Sequence, residues 1–139
     1  TQMSAWWSKL PAAISVKYGS RSAGWVCAFG AVALLVLVLS LMPTVPHMPT
    51  TGWDKANHLL AFAVLAWLGC QAFPWRTATV LLGLLAYGAL IEVLQSFTPY
   101  RFAEWNDVWA DGLGLLAGWL LTQLQQGWID HAHRHGAND

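Results

Sequence analysis

The chain has 139 residues, 56% apolar and only 10% charged, with seven cations, seven acids and ten tryptophans. Soluble domains carry about 25% charged residues, so this surface is too poor in charge for water. A formal charge of zero excludes the basic footprint of a nucleic-acid binder, and the length confines the chain to one domain of a few helices.

In chain order, segment 1–22 places Trp7, Leu10, Ile14 and Tyr18 on one helical face, with Lys9 and Lys17 off it. That pattern predicts a short helix lying in the membrane interface. Ala23 to Met42 contains no ionisable residue, and about 20 apolar residues cross a bilayer core of roughly 30 Å. The run exceeds the roughly 7–15 residues of a signal-peptide core, and Pro43, Pro46 and Pro49 follow it instead of a cleavage site. Three further runs go from Asp54 to Phe73, from Thr77 to Phe97 and from Trp105 to Leu124. In lipid every backbone polar group must be satisfied internally, so such runs are helices. The expected fold is all-α: an integral membrane four-helix bundle with a short N-terminal interfacial helix. Its expected organisation is an interfacial segment 1–22, a four-span domain 23–126 and a His-rich tail 127–139.

Positive charges in short loops set orientation. Lys9, Lys17, Arg21, Arg76 and Arg134 fall on one side of a four-span topology, and Lys55 and Arg101 on the other. Both termini are therefore expected in the cytoplasm of a cell whose inner (plasma) membrane the chain crosses, with loops 44–53 and 98–104 outside. Asp54, Glu92, Glu104, Asp107 and Asp111 lie on the outer side, while Asp130 and Asp139 lie in the tail. The sides thus differ in sign, with a net of +3 inside and −3 outside. Most tryptophans, Trp25, Trp53, Trp75, Trp105 and Trp128 among them, fall at the span ends as an aromatic belt.

Counting helical rise puts His58, Glu92 and Asp111 at one depth, roughly 7–9 Å below the outer helix ends. Ionisable groups at such depth face the bundle interior or a wet cavity. Asp107, Asp111, Gly114 and Gly118 recur on one helical stripe, and small residues there allow close helix packing. Gly88, Glu92 and Gln95 form a similar stripe, as do Lys55, His58 and Phe62. The first run offers no polar stripe and is expected to be a lipid-facing buttress.

Asp54-Lys55-x-x-His58 with Phe62 after it, Glu92-x-x-Gln95, Arg101, Asp107 and Asp111-x-x-Gly114, in this order, resemble the VanZ-like membrane protein family over roughly residues 40–120. The resemblance implies a small multi-pass protein of the cell envelope. The family's founding member raises resistance to the glycopeptide antibiotic teicoplanin. Asp111 stands where that family more often carries Asn, which leaves open whether the position acts as an amide or as a second carboxylate.

An outer cluster of five carboxylates against Lys55 and Arg101 needs compensation in low dielectric. Protonated carboxyls, a bound divalent cation and a cationic partner are the three remedies. An Asp/Glu/His set suits Mg²⁺, Mn²⁺ or Ca²⁺ more than a thiolate-seeking metal, although no metal ligands are assigned. In a structural reading, Lys55 and Arg101 anchor Glu92 and Asp107 and weld helices together. In a catalytic reading, Glu92, His58 and Asp107 carry acid–base work, and Lys55, Arg101, Gln95, Asp54 and Asp111 hold the substrate, Arg101 in bidentate fashion. Membrane lipid, a lipid-linked envelope precursor and a glycopeptide-type amphiphile are the expected ligands, and a second copy or another membrane protein the expected partner. The alternative is an accessory subunit whose charged cluster serves packing alone. A proton path is disfavoured, because residues 77–91 offer only Thr77, Thr79 and Tyr87 as polar groups. Cys27 and Cys70 sit near the cytoplasmic ends and are expected to be free thiols. His131, His133 and His135 alternate and would chelate a metal only if the tail were extended.

Overall fold

The computed structural model describes residues 12–43, 50–100 and 104–136, with side chains described from Ala23 onward except at 50–54. Among the described residues there are four helices and no strand: α1 (Ala12–Leu41), α2 (Thr50–Ala72), α3 (Thr77–Ser96) and α4 (Trp105–Gly136). The architecture is all-α, as expected from the four apolar runs.

Two boundaries differ from the sequence reading. α1 runs unbroken from Ala12, so residues 12–22 continue the first apolar helix and do not form a separate one. No proline falls between Ala12 and Leu41, and nothing else in that stretch forces the helix to stop. Residues 1–11, with Trp6, Trp7 and Lys9, lie outside the described residues. α4 continues past Leu124 to Gly136, again through a proline-free stretch that also carries an Asp130–Arg134 pair at helical i, i+4 spacing. The tail histidines are therefore helical, not extended.

α2 is central and packs on all three other helices. α3 does the same, whereas α1 and α4 do not pack on each other among the described residues. The shared core is Phe62, Leu65 and Ala66 of α2, Leu84 and Ile91 of α3 and Leu115 of α4, with Phe29, Val36 and Tyr87 against it. The α2–α4 contact is the most extensive, and its cause is local. A Cβ at Gly114 would strike the Leu59 carbonyl oxygen, and one at Gly118 would strike that of Ala63. The two backbones therefore touch, as the glycine stripe implied.

α1 contributes carbonyls where its side chains offer nothing. Tyr87 Oη donates to Ala33 O (2.5 Å) and Gln95 Nε2 to Ser40 O (2.9 Å), so α3 is fastened to α1 at two heights. Trp25 meets Trp67 edge-on at 5.4 Å. Near the α2–α3 turn, Trp67 Nε1 and Gln71 Nε2 both donate to Gln125 Oε1. The turn itself, Phe73–Arg76, is closed by Phe73 N to Gly69 O and Arg76 N to Phe73 O. Cys27 and Cys70 are free thiols.

Among the described residues, two helices are long and apolar enough to cross a membrane: Ala23–Leu41, with mean hydropathy 2.4, and Thr77–Ser96, with 1.9. α2 and α4 carry more polar residues, some buried (His58, Asp107, Asp111 and Thr122) and others exposed, such as Asn57 and Gln125, which lowers their average. All four helices nonetheless turn large apolar side chains outward, among them Leu34, Leu60, Leu82, Leu113 and Leu124.

Candidate functional site

The polar stripes of α2, α3 and α4 converge at one end of the bundle, where α3 finishes and α4 begins. His58 is three residues past Lys55 on α2, Glu92 lies one turn before the end of α3, and Asp107 sits in the first turn of α4 with Asp111 one turn further. All four are buried. One ring nitrogen of His58 and one carboxylate oxygen each of Glu92 and Asp107 lie within 4.8 Å of one another.

Each side chain is held by an identifiable contact. His58 Nδ1 is 2.9 Å from Asp111 Oδ1, a bond between groups that are 7% and 0% exposed. An ionised carboxylate accepts from Nδ1–H and so fixes the ring's orientation, leaving Nε2 as the other functional atom. Asp111 reaches this position because Gly88 lacks a side chain: a Cβ there would sit 2.5 Å from Asp111 Oδ2 and 3.2 Å from the Phe62 ring. Glu92 Oε2 accepts the backbone N–H of Glu104 at 3.2 Å. The Glu104 carbonyl in turn accepts the N–H of Asp107, so the chain entering α4 binds Glu92 and caps Asp107 together. The positive end of the α4 dipole also favours carboxylates here. Glu92 Oε1 and Asp111 Oδ2 are buried and have no hydrogen-bond partner among the described residues, and such oxygens are costly to leave bare.

The structure thus joins His58, Glu92, Asp107 and Asp111. It places other candidates elsewhere. Lys55 Nζ pairs with Glu104 Oε2 at 3.2 Å on the partly exposed rim, where the sequence suggested Glu92 or Asp107 as its anion. Gln95 is 1% exposed and spends its amide on Ser40 O, which makes it a fastener of α3 to α1. The Asp54 side chain and Arg101 lie outside the described residues. Trp109 is 75% exposed on the outer face of α4 and does not line the cluster.

Two features had no visible signal in the sequence. The Glu104 backbone reaches Glu92 across a turn, a contact that no side-chain pattern encodes. A groove of about 450 Å³ also runs between α1 and α2, walled by Val32, Val36, Leu39 and Val64 and ending at Asn57 and His58. Its size falls in the usual range for small-molecule sites, about 300–1,000 Å³, and such sites are mostly apolar with a few placed polar groups. The first apolar run is thus one wall of a groove as well as a buttress.

Chemically, three carboxylates oriented around an imidazole can gather a cation or exchange a proton, and an apolar groove leads to them. These features define an all-helical protein with membrane-type helices and a buried carboxylate–imidazole site between three of them. The chain belongs to the VanZ/LLP1 family, whose profile matches residues 24–126, a range that contains the whole cluster. Comparison with curated proteins and with solved structures returns no match.

Proposed function

We propose that this chain is a four-span protein of the inner membrane with both termini cytoplasmic, and that its outward-facing site binds the head of an envelope lipid or lipid-linked precursor. The groove between α1 and α2 carries this reading. Its walls are apolar enough for an acyl chain, and it ends at His58, one contact from Asp111.

Supporting the four spans, leucines point outward on every helix, from Leu34 and Leu35 on α1 to Leu120 and Leu121 on α4. An apolar surface that continuous is not tolerated in water but is the normal face toward lipid. Supporting the orientation, cations predominate in the segments assigned to the cytoplasm. Membership of the VanZ/LLP1 family supports an envelope amphiphile as the ligand class, a glycopeptide-type molecule included.

The test uses the full chain in liposomes with a photoreactive-acyl phospholipid. Val36→Trp narrows the groove, and His58→Gln and Glu92→Gln alter its polar end. Crosslinks should map to α1 and α2 along the groove and fall several-fold in each variant. Crosslinks spread evenly over all four helices, with variants that bind as the parent does, would defeat the reading. The accessory-subunit alternative has its own observation: His58–Asp111 ties α2 to α4, and Lys55–Glu104 ties α2 to the residue that precedes α4. It predicts cluster variants that merely fail to accumulate, and a stoichiometric partner that co-purifies.

A further inference from the structure

We propose that His58, Glu92 and Asp107 form a centre for a divalent first-row transition cation of the Mn²⁺ or Zn²⁺ class, with Asp111 as the residue that positions His58. The inference deepens the lipid reading and rests on it only for what the cation would face.

Four observations lead to it. Three ligand atoms of the right kinds, one imidazole nitrogen and two carboxylate oxygens, already lie within 4.8 Å of one another from three different helices. Cation–ligand bonds of about 2.0–2.2 Å bring neighbouring ligands to roughly 3–3.5 Å, so side-chain rotations of modest size close the set. The second observation is the bond from His58 Nδ1 to Asp111 Oδ1. Metal-bound histidines characteristically give their other ring nitrogen to a carboxylate, which fixes the tautomer and strengthens the ligand. With Nδ1 turned to Asp111, Nε2 is the nitrogen that would coordinate a cation. Third, Glu92 is 7% exposed and brings to the cluster a carboxylate whose Oε1 is buried and has no hydrogen-bond partner among the described residues. A cation satisfies such an oxygen where no donor does. The fourth observation is the room made for this arrangement: at Gly88 the chain has no side chain at the one place where a Cβ would press on Asp111 Oδ2.

The donor set selects the cation. Of the Mg²⁺, Mn²⁺ and Ca²⁺ that the composition of the cluster suggested, Mg²⁺ and Ca²⁺ prefer oxygen donors and are disfavoured once an imidazole is among the ligands, and Cys70 is no candidate ligand, lying three turns further along α2 from His58. Mixed imidazole–carboxylate sets suit Mn²⁺ and Zn²⁺. Three protein ligands leave coordination positions open, the arrangement of sites that bind substrate at the metal. Three carboxylates, Glu92, Asp107 and Asp111, would repel an anionic lipid head. A dication offsets most of that charge, presents a positive centre to a phosphate or carboxylate oxygen, and connects the cluster to the groove at His58.

A second set of histidines must be separated in the test. His131 and His135 sit one turn apart on the exposed end of α4, their rings 4.4 Å apart, and this helical i, i+4 spacing, unlike the extended tail the sequence suggested, can itself hold Zn²⁺. The experiment therefore uses the full chain, without a polyhistidine tag and with His131, His133 and His135 replaced by Ala. The protein is stripped with chelator, loaded with Mn²⁺ or Zn²⁺ alone, desalted and assayed by elemental analysis. About one equivalent should remain. His58→Gln, Glu92→Gln and Asp107→Asn should each lose it, and Asp111→Asn should weaken affinity about 10–100-fold. Electron paramagnetic resonance of the Mn²⁺-loaded parent should show coupling to one imidazole nitrogen, a readout that no variant needs to fold for. Less than a tenth of an equivalent in the protein with the three tail histidines replaced, or Mn²⁺ without nitrogen coupling, overturns the proposal. Metal retained in the His58→Gln and Glu92→Gln proteins does so too. No lipid enters this measurement, so its failure leaves the crosslinking result standing, and a failure to crosslink leaves the metal result standing.

Discussion

Replacing Gly114 by Ala tests the geometry that brings the cluster together. A Cβ at this position meets the Leu59 carbonyl carbon and the Ala63 nitrogen at 3.1 Å, with the Leu59 oxygen nearer still. These are backbone atoms of α2 and cannot rotate away, so α2 and α4 must part by roughly 0.5–1 Å, a gap that forfeits a quarter to a half of each dispersion contact across it. Overpacking costs about 1–3 kcal/mol, and a backbone-on-backbone clash belongs at the upper end. Better helix propensity returns about 1 kcal/mol for Gly→Ala. The net loss is about 2 kcal/mol, which for a chain of this length lowers Tm by roughly 5–10 °C. The ten tryptophans report unfolding by fluorescence in detergent. Gly83→Ala is the control: nothing lies within 4 Å of a Cβ there, so its Tm should hold or rise. Gly118→Ala should behave like Gly114→Ala. The double variant should lose less than the sum, because one parting of the helices relieves both clashes. If Gly114→Ala is as stable as Gly83→Ala, the direct α2–α4 backbone contact is wrong.

Four other outcomes are expected. Gly88→Ala should push Asp111 off His58 and reproduce the roughly 10-fold or greater loss of metal affinity of Asp111→Asn, measured by titration of the stripped protein; unchanged affinity would show that Asp111 does not position the ring. A double-mutant cycle on Lys55 and Glu104, half-exposed at 3.2 Å, should give a coupling of no more than about 1 kcal/mol that shrinks with added salt; a larger, salt-insensitive value would place the pair in the buried network. Gln95→Leu strips the Ser40 carbonyl of its donor and should cost about 1 kcal/mol by denaturant titration while leaving metal content unchanged; lost metal would return Gln95 to the cluster. In a Cys27→Ala/Cys70→Ala background, an impermeant maleimide should label Tyr100→Cys from outside intact cells and Arg76→Cys only after lysis; labelling of both from one side contradicts the topology.

The fold was largely legible because its helices have one simple signal, long apolar runs, and proline-free stretches extend them. The same simplicity hid the ends of α1 and α4: residues 12–22 and 125–136 lack apolar continuity, yet nothing in them stops a helix, so they remain helical. The depth of the cluster could be counted from helical rise, since His58, Glu92 and Asp111 are tied to rigid helices. Their partners could not. Lys55 is paired with an acid 49 residues away by the way α4 starts, and Gln95 finds a carbonyl on α1 that carries no side-chain signature. Spacing identifies a shared face, but it does not choose among several acids on neighbouring faces. The unusual carboxylate at position 111 was visible as a choice between amide and acid; its bond to His58 Nδ1 gives the acid a role that an amide would fill less strongly.

The glycines and the cluster belong to one device. Gly114 and Gly118 let α4 lie against the α2 backbone, which carries Asp111, one turn before Gly114, to the side of α2 that bears His58. Gly88 then admits the Asp111 carboxylate between α3 and α2, and the chain entering α4 hands its Glu104 N–H to Glu92. Each step fixes a polar group by removing a side chain or by using backbone, and neither adds charge to a low-dielectric region where charge is expensive. A site built this way has its acids aligned before any ligand arrives, which is the preorganisation a cation needs to bind three helices at once. It follows that stability and metal affinity should be coupled through the α2–α4 contact: variants that part these helices should lose both together, whereas Lys55 and Glu104 variants at the rim should lose neither by much.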